Sequence, residues 1–255
     1  MNVFITGASS GIGAALAAEF ATRGACLGLL ARRRDALDAV ESALPGKHHT
    51  YVADVTDKDA LIGAATAFKA AVGPVDIVIA NAGISIGVKT EFYEDLAQFK
   101  RVLDTNVLAM AITFHPFIAD MKARGRGTLV GIASVAGVRG LPGSEAYCAS
   151  KAAAIVYCES LRVEMARHGI KVVTISPGFI RTAMTKKNPY QMPFLMNADL
   201  FAEHAAEAII AGVRYRTIPW QMAWVTALLR WMPRWLFDRL TAHRKQKPRA
   251  SEPAS

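Results

Sequence analysis

The sequence is poor in cysteine, with only Cys26, Cys148 and Cys158 among its 255 residues. Because these three are odd in number and form no Cys-x-x-Cys pair, the sequence predicts reduced thiols rather than a disulfide framework or a zinc site. The sequence also lacks a charged leader with a long apolar run, and lacks any stretch of about 18 or more apolar residues. These absences predict a cytoplasmic protein that neither crosses a membrane nor carries a signal peptide.

Acidic residues are outnumbered, since 30 lysines and arginines against 21 aspartates and glutamates give a net charge of +9. Such an excess favours an anionic partner, which can be a nucleic acid, a membrane surface or a phosphate-bearing ligand. No nucleic-acid-binding motif accompanies the charge, so nucleic acid is not expected. Much of the excess lies late in the chain, which favours a membrane surface or a phosphate-bearing partner.

Short apolar runs alternate with helical patterns along most of the chain. The apolar runs are Val3–Thr6, Cys26–Ala31, Thr50–Ala53, Val75–Ala80, Thr128–Ala133 and Lys171–Ser176, and the helical patterns are Ile12–Arg23, Asp35–Ala43, Lys58–Val72, Glu94–Arg124 and Ala146–His168. Continuous apolar strands are typical of a parallel sheet that is covered on both faces. The sequence therefore predicts a single α/β domain with a Rossmann-type doubly wound parallel sheet, and a ligand beyond the carboxyl ends of the strands.

A glycine-rich turn, Thr6-Gly7-Ala8-Ser9-Ser10-Gly11-Ile12-Gly13, separates the first strand from the first helix. Gly7 would permit the tight turn, Gly11 would let the backbone approach a pyrophosphate, and Gly13 would let the helix pack closely on the sheet. The start of the helix also offers N–H groups and a positive dipole end to phosphate. The predicted cofactor contacts in this turn are Gly7, Ser9, Ser10, Gly11, Ile12 and Gly13. The alternative is a turn without a ligand.

The end of the second strand favours NADP(H) over NAD(H). A carboxylate here would bind the ribose 2′-hydroxyl, but the chain has Ala31 followed by three arginines. Because arginine offers a planar and permanently charged group to phosphate, Arg32 and Arg33 are predicted to hold the 2′-phosphate of NADP(H). The alternative is a solvated, cationic start to the next helix.

Tyr147 and Lys151 stand four residues apart, so both project from one face of a helix. A free tyrosine hydroxyl has a pKa of about 10, and a neighbouring ammonium favours its phenolate. Tyr147 is therefore predicted to give a proton to a carbonyl or to take one from an alcohol. Ser134, at the end of a strand, would hydrogen-bond the substrate oxygen. The alternative is a surface Tyr–Lys pair without a function.

Taken in order, these motifs closely resemble those of the classical short-chain dehydrogenase/reductases, from Met1 to about Gly212. The matching positions are Thr6 to Gly13, Asp54-Val55, Asn81-Ala82-Gly83, Asn106, Ser134, Tyr147 with Lys151, and Pro177-Gly178 followed by Thr182. The resemblance implies that Ser134, Tyr147, Lys151 and Asn106 form the catalytic set, with Asn106 anchoring a water that links Lys151 to solvent.

The same resemblance assigns the other cofactor contacts. It implies that Asp54 and Val55 contact the adenine and that Asn81, Ala82 and Gly83 line the cofactor. Lys151 and Tyr147 would also touch the cofactor, Lys151 at the nicotinamide ribose. The residues that would border the nicotinamide are Pro177, Gly178, Ile180 and Thr182.

The activity implied is the NADPH-dependent reduction of a ketone or aldehyde to an alcohol, or the reverse, on a small and hydrophobic substrate. The resemblance also implies a homodimer or homotetramer that pairs through Glu94–Arg124 and Ala146–His168. One alternative is an NADPH-binding regulator without turnover, which the intact catalytic set disfavours. Another is a nucleotide-sugar epimerase or dehydratase, which the short remainder after Gly212 disfavours.

In that family the region Phe179–Leu200 would be the substrate lid. Its Met184, Met192, Phe194, Leu195 and Met196 predict an apolar pocket that can repack, or else they pack the lid onto its own scaffold. The basic residues Arg139, Lys186 and Lys187 are candidates to meet an anionic end of the substrate, with solvated surface charge as the alternative.

All four tryptophans fall within Pro219–Leu240, at spacings of four, seven and four residues. With interspersed arginines, this pattern is typical of an amphipathic helix on an anionic membrane surface, so residues 219–240 predict peripheral membrane contact. A core helix, a subunit contact and a wall of the substrate pocket stay open as alternatives, and Pro233 must kink the helix or start a new one. The predicted organisation is an NADP-binding domain over 1–217 with a lid at about 179–200, a tryptophan-rich helical extension over 218–242, and a disordered tail over 243–255.

Overall fold

A computed structural model describes residues 1–188, 191–242 and 246–249. The strands are β1 (Asn2–Thr6), β2 (Cys26–Ala31), β3 (His49–Val52), β4 (Ile77–Ala80), β5 (Gly127–Ile132), β6 (Ile170–Pro177), β7 (Ile180–Arg181), β8 (Met196–Asn197) and β9 (Tyr215–Ile218). The α-helices are α1 (Gly11–Thr22), α2 (Arg34–Ser42), α3 (Lys58–Val72), α4 (Asp95–Leu103), α5 (Ala109–Arg124), α6 (Glu145–Ala166), α7 (Ala198–Ala211), α8 (Gln221–Trp231) and α9 (Arg234–Thr241).

Seven of the strands form one parallel sheet in the order β3-β2-β1-β4-β5-β6-β9, while β7 and β8 pair separately. The chain runs outward from β1 to β3 and then returns to place β4 on the other side of β1. This reversal opens a crevice beyond the carboxyl ends of β1 and β4, where doubly wound sheets bind their ligands. The predicted fold, one Rossmann-type domain, is confirmed.

Helices cover both faces of the sheet, and the strand sequences show why. Phe4 and Ile5 are both fully buried, but in opposite hydrophobic clusters, because successive side chains of a strand point to opposite faces. Ile5 packs with residues of α1 and α7, whereas Phe4 packs with residues of α3 and α5. Burying a side chain of this size contributes about 1.5–3 kcal/mol, so a strand buried on both faces is mostly apolar.

All six predicted strands and all five predicted helical patterns are present, with ends that shift by at most two residues. The pattern Glu94–Arg124 becomes one continuous helical stretch in which a π-helical turn, Asp104–Leu108, joins α4 to α5. Among the described helices, this stretch alone is long and apolar enough by composition to cross a membrane. Its Phe114, Phe117 and Met121 are buried against the sheet, so it is a core helix here.

In the C-terminal part, Pro233 stands immediately before α9 and begins a second short helix, which is one of the two outcomes expected. The tail differs from the expectation. The tail, predicted to be disordered, lies against the fold over residues 246–249, where Arg249 forms a parallel bridge with Gly87 and is buried. The physical reason is an ion pair of Arg249 with Glu94 and Asp95, which the polar composition of the tail does not reveal. Residues 243–245 and 250–255 of the predicted tail lie outside the described residues.

Candidate active site

The turn after β1 is fastened to the end of β4 by the side chains of Thr6 and Asn81. The Asn81 amide donates to the carbonyl oxygens of Thr6 at 2.9 Å and Gly7 at 3.3 Å. In return, the Thr6 hydroxyl oxygen accepts from the backbone N–H groups of Asn81 and Ala82, both at 3.2 Å. These bonds fix the two strand ends that border the crevice. The sequence motif contains Thr6, but its role as the acceptor that joins the strands was not predicted.

The first turn of α1 forms a cradle that fits a phosphate group. A Cβ atom on Gly13 would overlap the carbonyl oxygen of Gly7, so a side chain there would push the helix away from the turn. Gly7 has a φ of +68°, in the left-handed region that favours glycine. Ser10 precedes α1 without making a side-chain capping bond. The N–H groups at the start of α1 therefore do not donate to the Ser10 side chain. They are left to bind an anion in the crevice.

A cavity of about 300 Å³, here called the long cavity, follows the strand ends from β2 past β1 and β4 to β5 and β6. Its lining contains every predicted cofactor contact and every predicted catalytic residue except Asn106. Those residues are Gly7, Ser9, Ser10, Gly11, Ile12, Gly13, Arg32, Arg33, Asp54, Val55, Asn81, Ala82, Gly83, Ser134, Tyr147, Lys151, Pro177, Gly178, Ile180 and Thr182. Residues that are far apart in the sequence thus line one shared cavity.

At the β2 end of the long cavity, Arg32 forms an ion pair with Asp54. The Arg32 Nη1 atom lies 3.2 Å from Asp54 Oδ2, and both side chains are exposed. Burial acts to raise the pKa of Asp54, but hydrogen bonds from Thr56 and Arg32 outweigh it and hold that pKa below its ordinary value. Asp54 therefore stays ionised and orients Arg32, while Arg33 lines the same end of the cavity.

At the other end of the long cavity, α6 places Lys151 beside Tyr147. The Lys151 ammonium nitrogen lies 5.9 Å from the centre of the Tyr147 ring and donates to the carbonyl oxygen of Ile132 at 2.8 Å. Lys151 is only 4% exposed, and its burial lowers the pKa of its ammonium group to about 8. The predicted pairing on one helical face is therefore present, and it puts a cation next to the tyrosine.

Asn106 lies behind the long cavity rather than in its wall. It belongs to the π-helical turn, and its amide both donates to and accepts from the backbone of Ile84, at 2.9 and 2.8 Å. The same amide donates to the hydroxyl of Ser150 at 2.9 Å. A Cβ atom built on Gly83 would lie 3.2 Å from Asn106 Oδ1 and 3.5 Å from Lys151 Nζ, so both groups lie close to Gly83. Asn106 thus holds the segment after β4 in place beside Lys151.

A second cavity of about 190 Å³, here called the side cavity, adjoins the long cavity. Of the residues that the structure describes, five line both cavities: Ser134, Tyr147, Gly178, Met184 and Thr185. Ser134 is buried, and its hydroxyl oxygen accepts from the N–H of Ala136 at 3.1 Å, which fixes its position. The hydroxyl-bearing pair Ser134 and Tyr147 therefore stands where the two cavities meet.

The side cavity is lined mostly by residues that sequence analysis did not assign to it. Four of them follow one face of α8 at helical spacing: Met222, Val225, Thr226 and Leu229. From the lid, Met184 lines the cavity, whereas Met196 packs against the core and Phe194 is exposed. Of the basic candidates, Arg139 lines the cavity and Lys186 is exposed outside it, while the side chain of Lys187 lies outside the described residues.

The other face of α8 and the adjoining α9 carry the tryptophans, and all four are exposed. The exposed fractions are 65% for Trp220, 73% for Trp224, 86% for Trp231 and 68% for Trp235. The interpretation of this segment as a buried core helix is therefore wrong for these side chains, although α8 does form a wall of the side cavity. The sequence left a pocket wall open as an alternative for this segment, and α8 does line the side cavity, but with the face opposite the tryptophans.

Comparison with known proteins agrees with this geometry. A family model described as short chain dehydrogenase matches residues 1–192. The chain is 37% identical to an uncharacterized oxidoreductase of Myxococcus xanthus, over 93% of this chain and 94% of that protein. It is 35% identical to a gluconate 5-dehydrogenase of Gluconobacter oxydans over 73% of each.

Solved structures show the same similarity. Levodione reductase superposes with a TM-score of 0.79 at 26% identity, covering 87% of this chain and 97% of that one. ElxO with NADP bound superposes with a TM-score of 0.74 at 25% identity, covering 85% of this chain and 96% of that one.

Replacing Lys151 by methionine should stabilise the protein at neutral pH when no cofactor is added. Because the pKa of Lys151 is about 8 when folded and about 10.4 when unfolded, the unfolded chain binds more protons between these values. Wild-type stability should therefore rise with pH across this window. At pH 7 the variant should gain on the order of 1–3 kcal/mol, since one pKa unit corresponds to about 1.4 kcal/mol. Urea unfolding at pH 7 and pH 9.5 measures both effects.

The matched control is Lys186→Met, which removes an exposed lysine and should show no such pH dependence. A stability difference for Lys151→Met that is the same at both pH values would contradict a buried, destabilising ammonium.

Proposed function

We propose that this chain, which belongs to the short-chain dehydrogenase family of oxidoreductases, uses NADP(H) to reduce a ketone or aldehyde to an alcohol, or to catalyse the reverse reaction. One observation carries the proposal: Ser134 and Tyr147 line both the long cavity and the side cavity. A carbonyl group that enters from the side cavity would reach both hydroxyls at the end of the cofactor cavity. The apolar wall formed by α8 suits a hydrophobic substrate.

The residues of the long cavity fit a dinucleotide in one orientation. The glycine turn and the start of α1 would hold the pyrophosphate, while Asp54 and Val55 would lie at the adenine. Lys151 would hold the nicotinamide ribose, and the segment from Pro177 to Thr182 would border the nicotinamide ring. When bound there, NADP(H) supplies or accepts the hydride, and the protein supplies position and proton transfer.

Tyr147 is the proton donor in the proposed reduction. Its hydroxyl proton passes to the carbonyl oxygen, while the Ser134 hydroxyl donates a hydrogen bond to the same oxygen and stabilises the charge that develops there. The Lys151 ammonium, 5.9 Å from the Tyr147 ring centre, stabilises the phenolate that remains. We assign Asn106 the support of Lys151 through a water that leads to solvent.

Tyr147→Phe should keep NADPH binding and lose most turnover, because it removes only the proton donor. General acid–base catalysis contributes about 10²–10⁴-fold, and we expect a loss in that range. Turnover is followed by NADPH absorbance on any carbonyl that the wild type reduces, and binding by fluorescence titration. The control is Tyr157→Phe, the same change farther along α6, where the ring stacks on Phe114. Near-normal turnover of Tyr147→Phe would refute the mechanism.

The preference for NADP(H) rests on Arg32 and Arg33, which line the cavity where a 2′-phosphate would lie. The similar structure of ElxO contains NADP. Arg32→Ala and Arg33→Ala should each weaken NADPH binding about tenfold to a hundredfold, since a charge-assisted contact contributes about 1.5–3 kcal/mol. NADH binding should change little.

Arg34→Ala is the matched control, because Arg34 is exposed and does not line the long cavity. Equal affinity of the wild type for NADPH and NADH, measured by titration, would overturn the assignment of NADP(H).

The exposed tryptophan face supports a second proposal, contact with an anionic membrane surface. Three arginines of the same segment, Arg230, Arg234 and Arg239, are exposed beside the tryptophans. Tryptophans suit the boundary between lipid and water, and each basic residue near an anionic surface contributes about 1 kcal/mol. Since the opposite face of α8 lines the side cavity, a hydrophobic carbonyl compound would have a short path from the bilayer to Tyr147.

Co-sedimentation with anionic phospholipid vesicles at low salt tests this contact. The wild type should pellet with the vesicles, and the double variant Trp224→Ser, Trp231→Ser should stay in the supernatant. Tyr93→Ser is the control, because Tyr93 is an exposed aromatic residue outside the segment. Wild-type protein that stays in the supernatant would contradict membrane contact and leave a subunit contact as the use of this face.

We also propose that the protein pairs through α5 and α6 across a two-fold axis. Val156 and Val163 of α6 are exposed, as is Leu108 immediately before α5. Pairing there would bury these side chains and leave the tryptophan face of α8 uncovered. Light scattering at micromolar concentration should give at least twice the 27.4 kDa of one chain, and a monomer would contradict the proposal.

A further inference from the structure

The segment Gln246–Arg249, here called the strap, lies in a narrow groove beside the side cavity. One wall of the groove contains Gly87, where a Cβ atom would collide with the carbonyl oxygen of Pro248. The other wall contains Gly143, where a Cβ atom would lie 2.9 Å from the Cβ of Gln246. Both walls therefore approach the strap as closely as the absence of a side chain allows.

Arg249 anchors the strap in this groove and is only 8% exposed. Its guanidinium binds both carboxylate oxygens of Asp95, at 2.8 and 3.1 Å, and also reaches Glu94 Oε1 at 2.7 Å. It also stacks 3.5 Å from the centre of the Phe92 ring. Because Asp95 is itself buried, removing Arg249 would leave a buried carboxylate without its main partner. The anchor thus gives the strap one defined position.

In this position Lys247 lines the side cavity, and its ammonium lies 2.7 Å from the hydroxyl oxygen of Ser85. A second cation, Arg139, also lines the cavity, held by the carbonyl oxygen of Met232 at 3.1 Å and by the ring of Phe237 at 4.3 Å. Among the described residues that line this cavity, none is acidic. Two cations in a largely apolar space create a field that favours an anion.

We propose that the strap completes the substrate cavity, and that Lys247 and Arg139 select carbonyl substrates with an anionic group on an apolar body. The proposal deepens the proposed function and rests on it, since it names the class of substrate for the same site. The carbonyl would lie at Ser134 and Tyr147, where the two cavities meet. The anionic group, of which a carboxylate is the simplest example, would lie at the two cations. Arg249 is a positioning residue that acts through Lys247.

Matched pairs of straight-chain keto acids and their methyl esters test the inference, because the two members differ mainly in the charge at one end. The wild type should show a kcat/KM at least tenfold higher for the acid in the best pair. Lys247→Gln should reduce this preference about tenfold to a hundredfold, as expected when a charge-assisted contact is lost. The kcat/KM of the ester should change much less than that of the acid, so that the ratio of the two falls. Lys186→Gln, an exposed lysine of the lid, is the control and should keep the preference.

Displacing the strap by two unrelated changes should have the same effect as Lys247→Gln. Arg249→Met removes the anchor, and Gly87→Ala places a methyl group against Pro248. Both should lower the ratio of acid to ester turnover, and Arg249→Lys should restore part of it. General destabilisation would lower both activities together and leave the ratio unchanged, so the ratio identifies a positioning role.

The outcomes separate this inference from the proposed function. Turnover of esters or neutral carbonyls without an acid preference in the wild type would overturn the inference and leave the oxidoreductase assignment intact. An acid preference that survives Lys247→Gln and the strap variants would also overturn it. If NADPH binds but no carbonyl of either kind is reduced, the proposed function fails. In that case the anion site is tested by the melting temperature. A rise with the keto acids, but not with their esters and not in Lys247→Gln, would still support the site. The lack of such a rise would reject it.

Discussion

The hydrogen bonds between the end of β1 and the end of β4 are the constraint on which the site depends. Four hydrogen bonds join the side chains of Thr6 and Asn81 to the backbone of the facing strand end. They lie where the chain reverses its direction across the sheet. They hold the glycine turn against β4, so that the start of α1 faces the crevice. The same strand end leads into Gly83 and Ile84, whose backbone is held by Asn106 close to Lys151. One junction therefore positions both the glycine turn and the segment beside Lys151.

Two buried cations show two ways in which the fold handles charge. Lys151 donates to a carbonyl oxygen and lies near an aromatic ring, and burial lowers the pKa of its ammonium group. Arg249 has two carboxylates, whose hydrogen bonds raise the pKa of its guanidinium further above its ordinary range. Burial sets the pKa of the first cation, which fits the supporting role in proton transfer that we propose for it. The second is fully compensated, as suits an anchor.

Much of the fold followed from the sequence because its signals are local. Strands buried on both faces need apolar runs, and β1, β2 and β6 contain such runs at Val3–Ile5, Leu27–Ala31 and Val172–Val173. Tyr147 and Lys151 were predicted to share a helical face because four residues make about one turn. The cofactor contacts were predicted from the glycine turn, from the arginines after β2 and by resemblance, and the structure brings all of them into one cavity.

What could not be predicted depends on contacts between distant parts of the chain. Arg249 and Asp95 are 154 residues apart, and nothing in a polar, basic tail indicates that one arginine will be buried. The sequence allowed this segment to form a pocket wall but could not name its residues, since Met222 and Leu229 are apolar residues in a helix whose tryptophans dominate the pattern. Asn106 shows a third case: its type and position were expected, but its bonds to Ile84 require the π-helical turn that aims its amide.

In the proposed reaction, hydride reaches the carbonyl carbon where the long cavity and the side cavity meet. The most direct measurement uses NADPH that carries deuterium at C4 of the nicotinamide, on both faces, with a panel of ketones, aldehydes and keto acids. Mass spectrometry of the products should show one deuterium on the former carbonyl carbon for each substrate that is reduced. Oxidation of NADPH without deuterium in any alcohol product, or tight binding of NADPH with no reduction of any carbonyl, would contradict the account.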